Sequence, residues 1–231
     1  MRVVRLFLFM AFAFGASCLS VLPASAEFFI DGYAGIALTN DADSNLTGTS
    51  VFGPSYHVSG TTKWKDSFVF GGRMGYWFDT VPFLGLALDV SWFQPEEDVS
   101  IGPAKIDVMP ISVLLMYRVP LGTSPDFPQG RFQPYLGVGP GAFYTKFKLD
   151  YTSPGMSIHI SDTSWDIGLD VRGGLTFLFT RNIGIFAEYR FTYVDPQWEV
   201  DLLSGGRPIG TLTGDIELAT HHIMGGLTLR F

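Results

Sequence analysis

His159 and Ser161 are the residues of the sequence best spaced for nucleophilic chemistry. A histidine that removes the proton of a serine hydroxyl creates an acyl-transfer nucleophile, provided that a carboxylate orients the histidine. Asp166 and Asp170 are the acids that follow, and no glutamate follows on the next segment. The hydrophobic pattern also places the pair in or beside a polar link. The spacing therefore favours an ordinary link, and we predict no catalytic residue.

The remaining polar clusters are poor metal sites. His221 and His222 are adjacent, so on a strand they point to opposite faces and cannot both bind one ion without a bulge. Residues 41–45 begin like a calcium loop, but Leu46 and Phe52 occupy the positions that need glycine and glutamate. We predict no metal site.

Cofactor and nucleic-acid binding are also unsupported by the sequence. The glycine-rich residues 137–141 lie within a strand pattern and are not followed by the helix that a nucleotide loop requires. The formal net charge is −7, and the 15 basic residues are scattered, whereas phosphate backbones are bound by clustered basic residues. We therefore expect no cofactor and no nucleic-acid partner.

The first 26 residues have the organisation of a secretory signal peptide. Arg2 and Arg5 precede an apolar run over residues 6–16, and Ala24-Ser25-Ala26 follows Pro23. Small residues at this place are typical of a cleavage site. We predict that residues 1–26 are a signal peptide cut after Ala26, that export uses the general secretory pathway, and that residues 27–231 form the mature domain.

Two alternatives for this segment are weaker. Residues 6–26 carry no charge and could form a spanning helix, but the small-residue end is typical of cleavage. Cys18, the single cysteine, could be a lipid attachment site, but Gly15 stands where a lipid-attachment motif needs a larger apolar residue. On the preferred interpretation the mature chain has no thiol.

The mature sequence alternates apolar and polar residues with a period of two, as strands with two different faces do. No apolar stretch after Ala26 approaches the roughly 18 residues of a spanning helix. The alternation predicts eight strands of about ten residues, which is the length of a transmembrane strand. They cover residues 28–38, 68–78, 84–92, 111–118, 135–147, 165–179, 183–193 and 222–231, with residues 63–65 as an extension of the second.

The links between these strands alternate in length. Short links are predicted at residues 79–83, 120–129 and 180–182, and long polar links at 39–62, 94–105, 149–163 and 195–215. Membrane barrels have short turns at one end and long loops at the other, whereas a soluble sandwich has no reason for this arrangement. The sequence predicts an all-β fold: an eight-stranded antiparallel up-and-down transmembrane β-barrel. A soluble sandwich or lipocalin-like protein is the rival.

In a barrel the polar faces of the strands line the lumen. The lumen of an eight-stranded barrel is filled by side chains, so charges there must pair or contact buried water. The predicted lumen residues comprise five acids and five bases, as mutual pairing requires: Asp31, Arg73, Asp89, Arg118, Asp166, Asp170, Arg172, Glu188, Arg190 and Arg230.

The tryptophans fit the same scheme. Aromatic belts mark the two membrane interfaces of such barrels, and the tryptophans fall near predicted strand ends. Trp77 alone falls on the predicted inward face, where the belt does not account for it. The five are Trp64, Trp77, Trp92, Trp165 and Trp198.

Four segments of the mature chain resemble the eight-stranded outer-membrane barrels of the OmpA-like transmembrane and opacity-protein type. They are residues 29–35 (FIDGYAG), 134–141 (PYLGVGPG), 185–191 (IFAEYRF) and 225–231 (GGLTLRF). The resemblance implies location in the outer membrane of a Gram-negative bacterium. It also implies that Phe231 is the assembly signal for the barrel-insertion machinery, with periplasmic chaperones as further partners during assembly.

The resemblance implies a structural, surface-interaction or adhesion role through four external loops, with a lumen closed by ion pairs and no enzymatic activity. The surrounding partners would be outer-membrane lipid and lipopolysaccharide, and the loop ligands stay unidentified. A porin-like channel or a transporter of small apolar compounds is the alternative, and it predicts a hydrophobic trough under the loops. A third hypothesis is a lipid A-modifying hydrolase, because His159 and Ser161 resemble the His-x-Ser pair of outer-membrane lipid A deacylases.

Overall fold

The computed structural model describes residues 27–50, 53–62, 64–99, 102–153, 156–204 and 207–231. The predicted signal peptide and its cleavage site at Ala26 lie outside the described residues. No helix of the described part is long and apolar enough to cross a membrane. The described strands are β1 (Glu27–Thr39), β2 (Ala42–Ser50), β3 (Gly53–Thr62), β4 (Trp64–Lys65), β5 (Ser67–Trp77), β6 (Leu84–Phe93), β7 (Glu96–Val99), β8 (Gly102–Arg118), β9 (Phe132–Ser153), β10 (Met156–Leu178), β11 (Ile183–Val194), β12 (Gln197–Ser204), β13 (Arg207–Ile216) and β14 (Leu218–Arg230).

Eight of the described strands close into one antiparallel barrel, in the order β1-β5-β6-β8-β9-β10-β11-β14. The terminal strand β14 pairs with β1, with Arg230 opposite Phe29 and Thr220 opposite Thr39. Each barrel strand pairs with the barrel strands before and after it in the chain, which is the up-and-down topology. The predicted eight-stranded barrel is therefore confirmed.

The two faces predicted from the alternating sequence are the inner and the outer face of the barrel wall. Along β11, residues alternate between exposed and buried, so that Tyr189 faces out while Glu188 and Arg190 face in. Large apolar side chains populate the outer face of every barrel strand, where a water-soluble barrel would carry polar ones. Examples are Ile36, Phe70, Leu88, Val113, Leu136, Ile167, Tyr189 and Leu227.

The predicted long loops are mostly strand, so that part of the sequence-based prediction was wrong. β9 and β10 continue beyond the barrel as one hairpin, with Ser153 opposite Met156. β12, β13, β2 and β3 form a separate four-stranded sheet. Residues 64–65 form β4, which continues β5 across a one-residue break at Asp66, as predicted: β4 pairs with β7 where β5 pairs with β6. Polar segments extend as strands here because each one has a neighbour to complete its backbone hydrogen bonds.

The opposite end of the barrel carries the short links, as predicted. The link between β8 and β9 is folded back on itself, with Gly130 at a φ of 85° that favours glycine. Arg181, in the link between β10 and β11, donates hydrogen bonds to the carbonyls of Pro125 and Asp126. We call this the short-turn end and the other the hairpin end. In outer-membrane barrels short turns face the periplasm and long connections face outward.

Candidate functional site

The middle of the lumen holds a buried network of seven charged side chains, which we call the central network. All seven are at most 3% exposed. They project inward from five barrel strands because their positions share the inward phase of the pleat. The members are Asp31, Arg73, Asp89, Asp170, Arg172, Glu188 and Arg190.

Arg172, on β10, contacts three carboxylates of the central network. Its Nε and Nη2 atoms donate to the two oxygens of Asp170, at 3.2 and 2.7 Å. Its Nη1 atom donates to Asp89 at 2.9 Å and to Glu188 at 3.3 Å. A planar guanidinium suits this bidentate arrangement, which a lysine does not reproduce. Arg172 therefore ties β6, β10 and β11 together through the lumen.

Arg73, on β5, makes the second crossing of the lumen. Its Nε atom donates to Asp31 at 2.8 Å, and its Nη1 atom donates to Glu188 at 2.6 Å. The Tyr135 hydroxyl, from β9, also donates to Glu188, at 2.7 Å. Glu188 thus links side chains from β5, β9 and β10, and the network spans the barrel from wall to wall.

Arg190 and Tyr33 add contacts to two carboxylates that Arg172 also contacts, Asp170 and Asp89. The Arg190 Nη2 atom lies 2.7 Å from Asp170, and its Nη1 atom donates to the Ser91 hydroxyl at 2.7 Å. The Tyr33 hydroxyl is 2.8 Å from each oxygen of Asp89. Each charge of the network therefore has a partner of opposite sign, which offsets the cost of removing it from water.

Inward glycines give these side chains their room. A Cβ atom on Gly71 would lie 2.5 Å from the Tyr33 hydroxyl and 2.6 Å from the carbonyl oxygen of Val90. A Cβ atom on Gly174 would lie 2.6 Å from the hydroxyl of Tyr135. The cross-section is therefore occupied by packed side chains, and the central network forms a plug.

A second cluster lies at the short-turn end. Arg118 and Arg230 share Glu27, at 2.7 and 3.5 Å from its two carboxylate oxygens. The Arg118 guanidinium lies 4.3 Å from the ring centroid of Trp77, which itself stacks on Phe29 at 5.6 Å. The inward position of Trp77 is thus explained by its cation–π contact with a lumen arginine.

The half of the lumen towards the hairpin end holds both apolar side chains and buried threonines. His222, on β14, marks the boundary: it is buried, bonds with the Thr192 hydroxyl at 3.0 Å, and meets the Phe93 ring edge-on at 5.0 Å. On that side, Thr39, Thr145, Thr192 and Thr220 are buried beside aliphatic and aromatic side chains. The apolar ones include Ala37, Val69, Phe93, Val108, Phe143, Val194 and Leu218.

The structure places nine of the ten predicted lumen charges in these two clusters, seven in the central network and Arg118 and Arg230 in the second. Asp166 lies apart from both, half-buried, and accepts a hydrogen bond from the Ser164 hydroxyl at 2.7 Å. Glu27 takes part instead and was missed by the sequence analysis. The alternation of the sequence does place Glu27 on the same inward face as Asp31. The predicted first strand begins one residue later, at residue 28, and therefore leaves Glu27 out.

The other candidate residues lie outside the lumen clusters or outside the described side chains. His159 and Ser161 fall on the part of β10 beyond the barrel, opposite Asp150 and Lys148 of β9, and their side chains are not described. His221 faces outward and contacts Tyr189. Within the described ranges, no three His, Cys, Asp or Glu side chains are placed to hold a metal.

A closed barrel with an apolar outer belt and a polar, filled lumen is a transmembrane β-barrel protein. The family described as outer membrane protein beta-barrel domain matches residues 11–231, and the chain belongs to that family. The protein is accordingly an outer-membrane protein. No curated protein matches the chain significantly.

Solved structures with the same fold include OprG from Pseudomonas aeruginosa, with a TM-score of 0.62 at 20% identity over 90% of this chain and 96% of that one. Neisserial surface protein A gives 0.47 at 17% identity, over 88% and 97%. The outer membrane protease OmpT from Escherichia coli gives 0.45 at 10% identity, over 91% and 99%. The OprG likeness shows the shared fold and does not extend to activity.

Proposed function

We propose that this protein is a non-conducting, non-enzymatic barrel that anchors a β-sheet platform at the cell surface, where the platform meets ligands, host surfaces or envelope partners. The observation that carries the proposal is the central network, in which Arg73 and Arg172 join strands on different sides of the lumen. Residues 1–26 would direct its export, and Phe231 would be the signal for insertion.

Ion passage along the barrel axis would require the plug to open. Arg172 has contacts with three carboxylates at 2.7–3.3 Å. Breaking a buried ion pair so that one charge is left without its partner costs about 3–5 kcal/mol. Because Arg73 and Arg190 share carboxylates with Arg172, an opening would break several such contacts together. The closed state is therefore the stable one, as a structural anchor requires.

The platform consists of the hairpin-end strands. β13 pairs with β2 from Gly210 opposite Ser50 to Ile216 opposite Ser44. This pairing joins the first and the last hairpin of the chain into the sheet β12-β13-β2-β3. A paired sheet has fewer conformations than separate loops, so a surface built on it loses less entropy on binding. This favours an interaction role for the hairpin end.

Conductance across planar lipid bilayers tests the closed lumen. We expect the purified, refolded protein to give no stable current steps, because the central network fills the cross-section. A bilayer that conducts after insertion of a general porin serves as the positive control, and heat-modifiable gel migration shows that the protein is folded. Regular current steps from the folded wild-type protein would contradict the proposal.

Movement of small apolar compounds is a second candidate, favoured by the apolar side chains that lie among buried threonines between the central network and the hairpin end. Phe93 is one of these side chains and is 2% exposed, whereas its neighbour Trp92 faces outward. For this candidate we expect Phe93→Asn to lower uptake of an apolar fluorescent solute by proteoliposomes about tenfold, since a polar group would enter the path. Trp92→Asn is the matched control. Equal uptake by the wild type and by protein-free liposomes would dismiss this role.

A further inference from the structure

A cavity of about 490 Å³ lies at the short-turn end of the lumen. Residues 126–130 of the link between β8 and β9 form one side of it, and Arg230 of β14 lies on another. This volume is within the range of sites that hold small organic molecules. In outer-membrane barrels the short turns face the periplasm, so a ligand would reach this cavity from the periplasm.

Hydrogen bonds hold the link in place over the cavity. The buried side chain of Gln133, on β9, donates to the carbonyl oxygens of Gln129 and Gly130 at 3.1 and 3.0 Å. Arg181, from the turn between β10 and β11, donates to two further carbonyls of the link at 3.0 and 2.9 Å. The link is therefore fixed to two neighbouring parts of the barrel. The cavity is formed before any ligand arrives, and binding would order little of the chain.

Arg230 brings a weakly compensated positive charge to this cavity. Its side chain is buried, and its ion pair with Glu27 has a long distance of 3.5 Å between Nη1 and Oε1. The other oxygen of Glu27 lies 2.7 Å from Arg118. Among the described residues, none accepts a hydrogen bond from the Nε or the Nη1 atom of Arg230. Because a buried guanidinium group is stabilised by anionic partners, the position beside Arg230 favours a further anion.

The neighbouring charges do not remove this excess. Asp126 and Arg181, which also line the cavity, pair with each other at 3.3 Å and lie mostly in solvent. Asp31, deeper in the lumen, pairs with Arg73 at 2.7 Å. An amino group left by the predicted cleavage and a carboxylate on Phe231 would add one charge of each sign. The second cluster therefore keeps two guanidinium groups and one carboxylate, a formal excess of one positive charge.

Apolar side chains form much of the remaining wall. Leu178 is buried, Phe127 is half-buried, and Pro128 lies beside Phe127 in the link. An apolar group in the cavity would remove these side chains from water, which is favourable. The lining thus combines one buried cation with an apolar wall, which suits a molecule with an anionic end and an apolar body.

We infer that this cavity is a binding site for a small organic acid of the periplasm, with the carboxylate of the acid beside Arg230 and its apolar body against Leu178 and Phe127. The carboxylate supplies the second anion that the two guanidinium groups of the cluster lack. The site lies on the opposite side of the central network from the β-sheet platform. It is therefore independent of what the platform binds.

Fluorine NMR titration of the full chain in phosphatidylcholine nanodiscs tests the inference on the unaltered protein. The probe is para-trifluoromethyl-phenylacetate, and the control ligand is its neutral amide, which has almost the same shape. We expect the carboxylate to bind about 10- to 100-fold more tightly than the amide, because only the carboxylate forms charge-assisted hydrogen bonds with a guanidinium group. This comparison does not depend on any variant folding.

Variants at Arg230 then locate the site, with heat-modifiable gel migration to show that each one is folded. Arg230→Met should weaken binding of the carboxylate to the level of the amide, whereas Arg230→Lys keeps the charge and should bind it more tightly than Arg230→Met. Arg207→Met removes the same charge from β13 at the hairpin end and should change nothing. Equal binding of carboxylate and amide by the wild type, wild-type affinity in the folded Arg230→Met variant, or no binding of the carboxylate would each overturn the inference.

Discussion

Replacement of Arg172 by methionine is expected to lower the free energy of unfolding by about 3–5 kcal/mol, because three buried carboxylates each lose one of their partners. Asp170 would lose a bidentate contact, and Asp89 and Glu188 would each lose one. Methionine has a similar volume, so the loss would report charge pairing more than packing. The measurement is urea unfolding in lipid vesicles, followed by heat-modifiable gel migration.

A matched control removes an arginine whose ion pair lies in solvent. Arg181 and Asp126 are 3.3 Å apart with side chains 62% and 82% exposed, so Arg181→Met should change the free energy by at most about 1 kcal/mol. If Arg172→Met and Arg181→Met had equal effects, the central network would not be a stabilising plug. The double variant Arg172→Met, Asp170→Asn should recover part of the loss, although Arg190 would then keep only Asp89, at 3.6 Å, as a carboxylate partner.

Replacement of Leu88 by arginine is expected to lower the free energy of unfolding by about 2–4 kcal/mol, as charged residues do at the lipid face of a barrel near the bilayer midplane. Leu88 lies near the middle of β6, faces outward, and is opposite Val113 and Met74 on the neighbouring strands. The same unfolding measurement in vesicles gives the change. This prediction tests the outward face independently of the lumen.

The control for Leu88→Arg is an arginine placed in the exposed link of the short-turn end. Thr123→Arg adds the same charge to an exposed position outside the strands, so its effect should stay within about 0.5 kcal/mol. A near-zero effect of Leu88→Arg would mean that this face is in contact with water. That outcome would contradict a membrane-spanning barrel even if the Arg172 result were as expected.

Arg172→Met and Leu88→Arg test the inner and the outer face of the barrel wall, respectively. Arg172 tests why charged residues face inward, and Leu88 tests why apolar residues face outward. If both results hold, the barrel is a closed, membrane-embedded anchor for the sheet at its hairpin end. Ligand searches would then be directed to the sheet β12-β13-β2-β3.

Much of the barrel could be predicted from the sequence because a period of two is a local property. The alternation around Glu188 and Arg190 shows which side chains share a face, whatever the strand contacts. The same phase would have included Glu27, had the first strand been extended to it. Asp166 has the inward phase too, but it lies nearer the hairpin end and bonds with Ser164, so phase alone does not assign a charge to a cluster.

The sequence by itself determined the number of barrel strands, the inward and outward faces, and the balance of lumen charges, since each follows from residue type and spacing. Only the tertiary structure decided the partners: that Arg172 meets Asp89 from β6 and Glu188 from β11, and that β2 pairs with β13. These contacts join residues far apart in the chain. They depend on barrel closure and strand register, which bring distant positions to the same height, and no local pattern encodes that height.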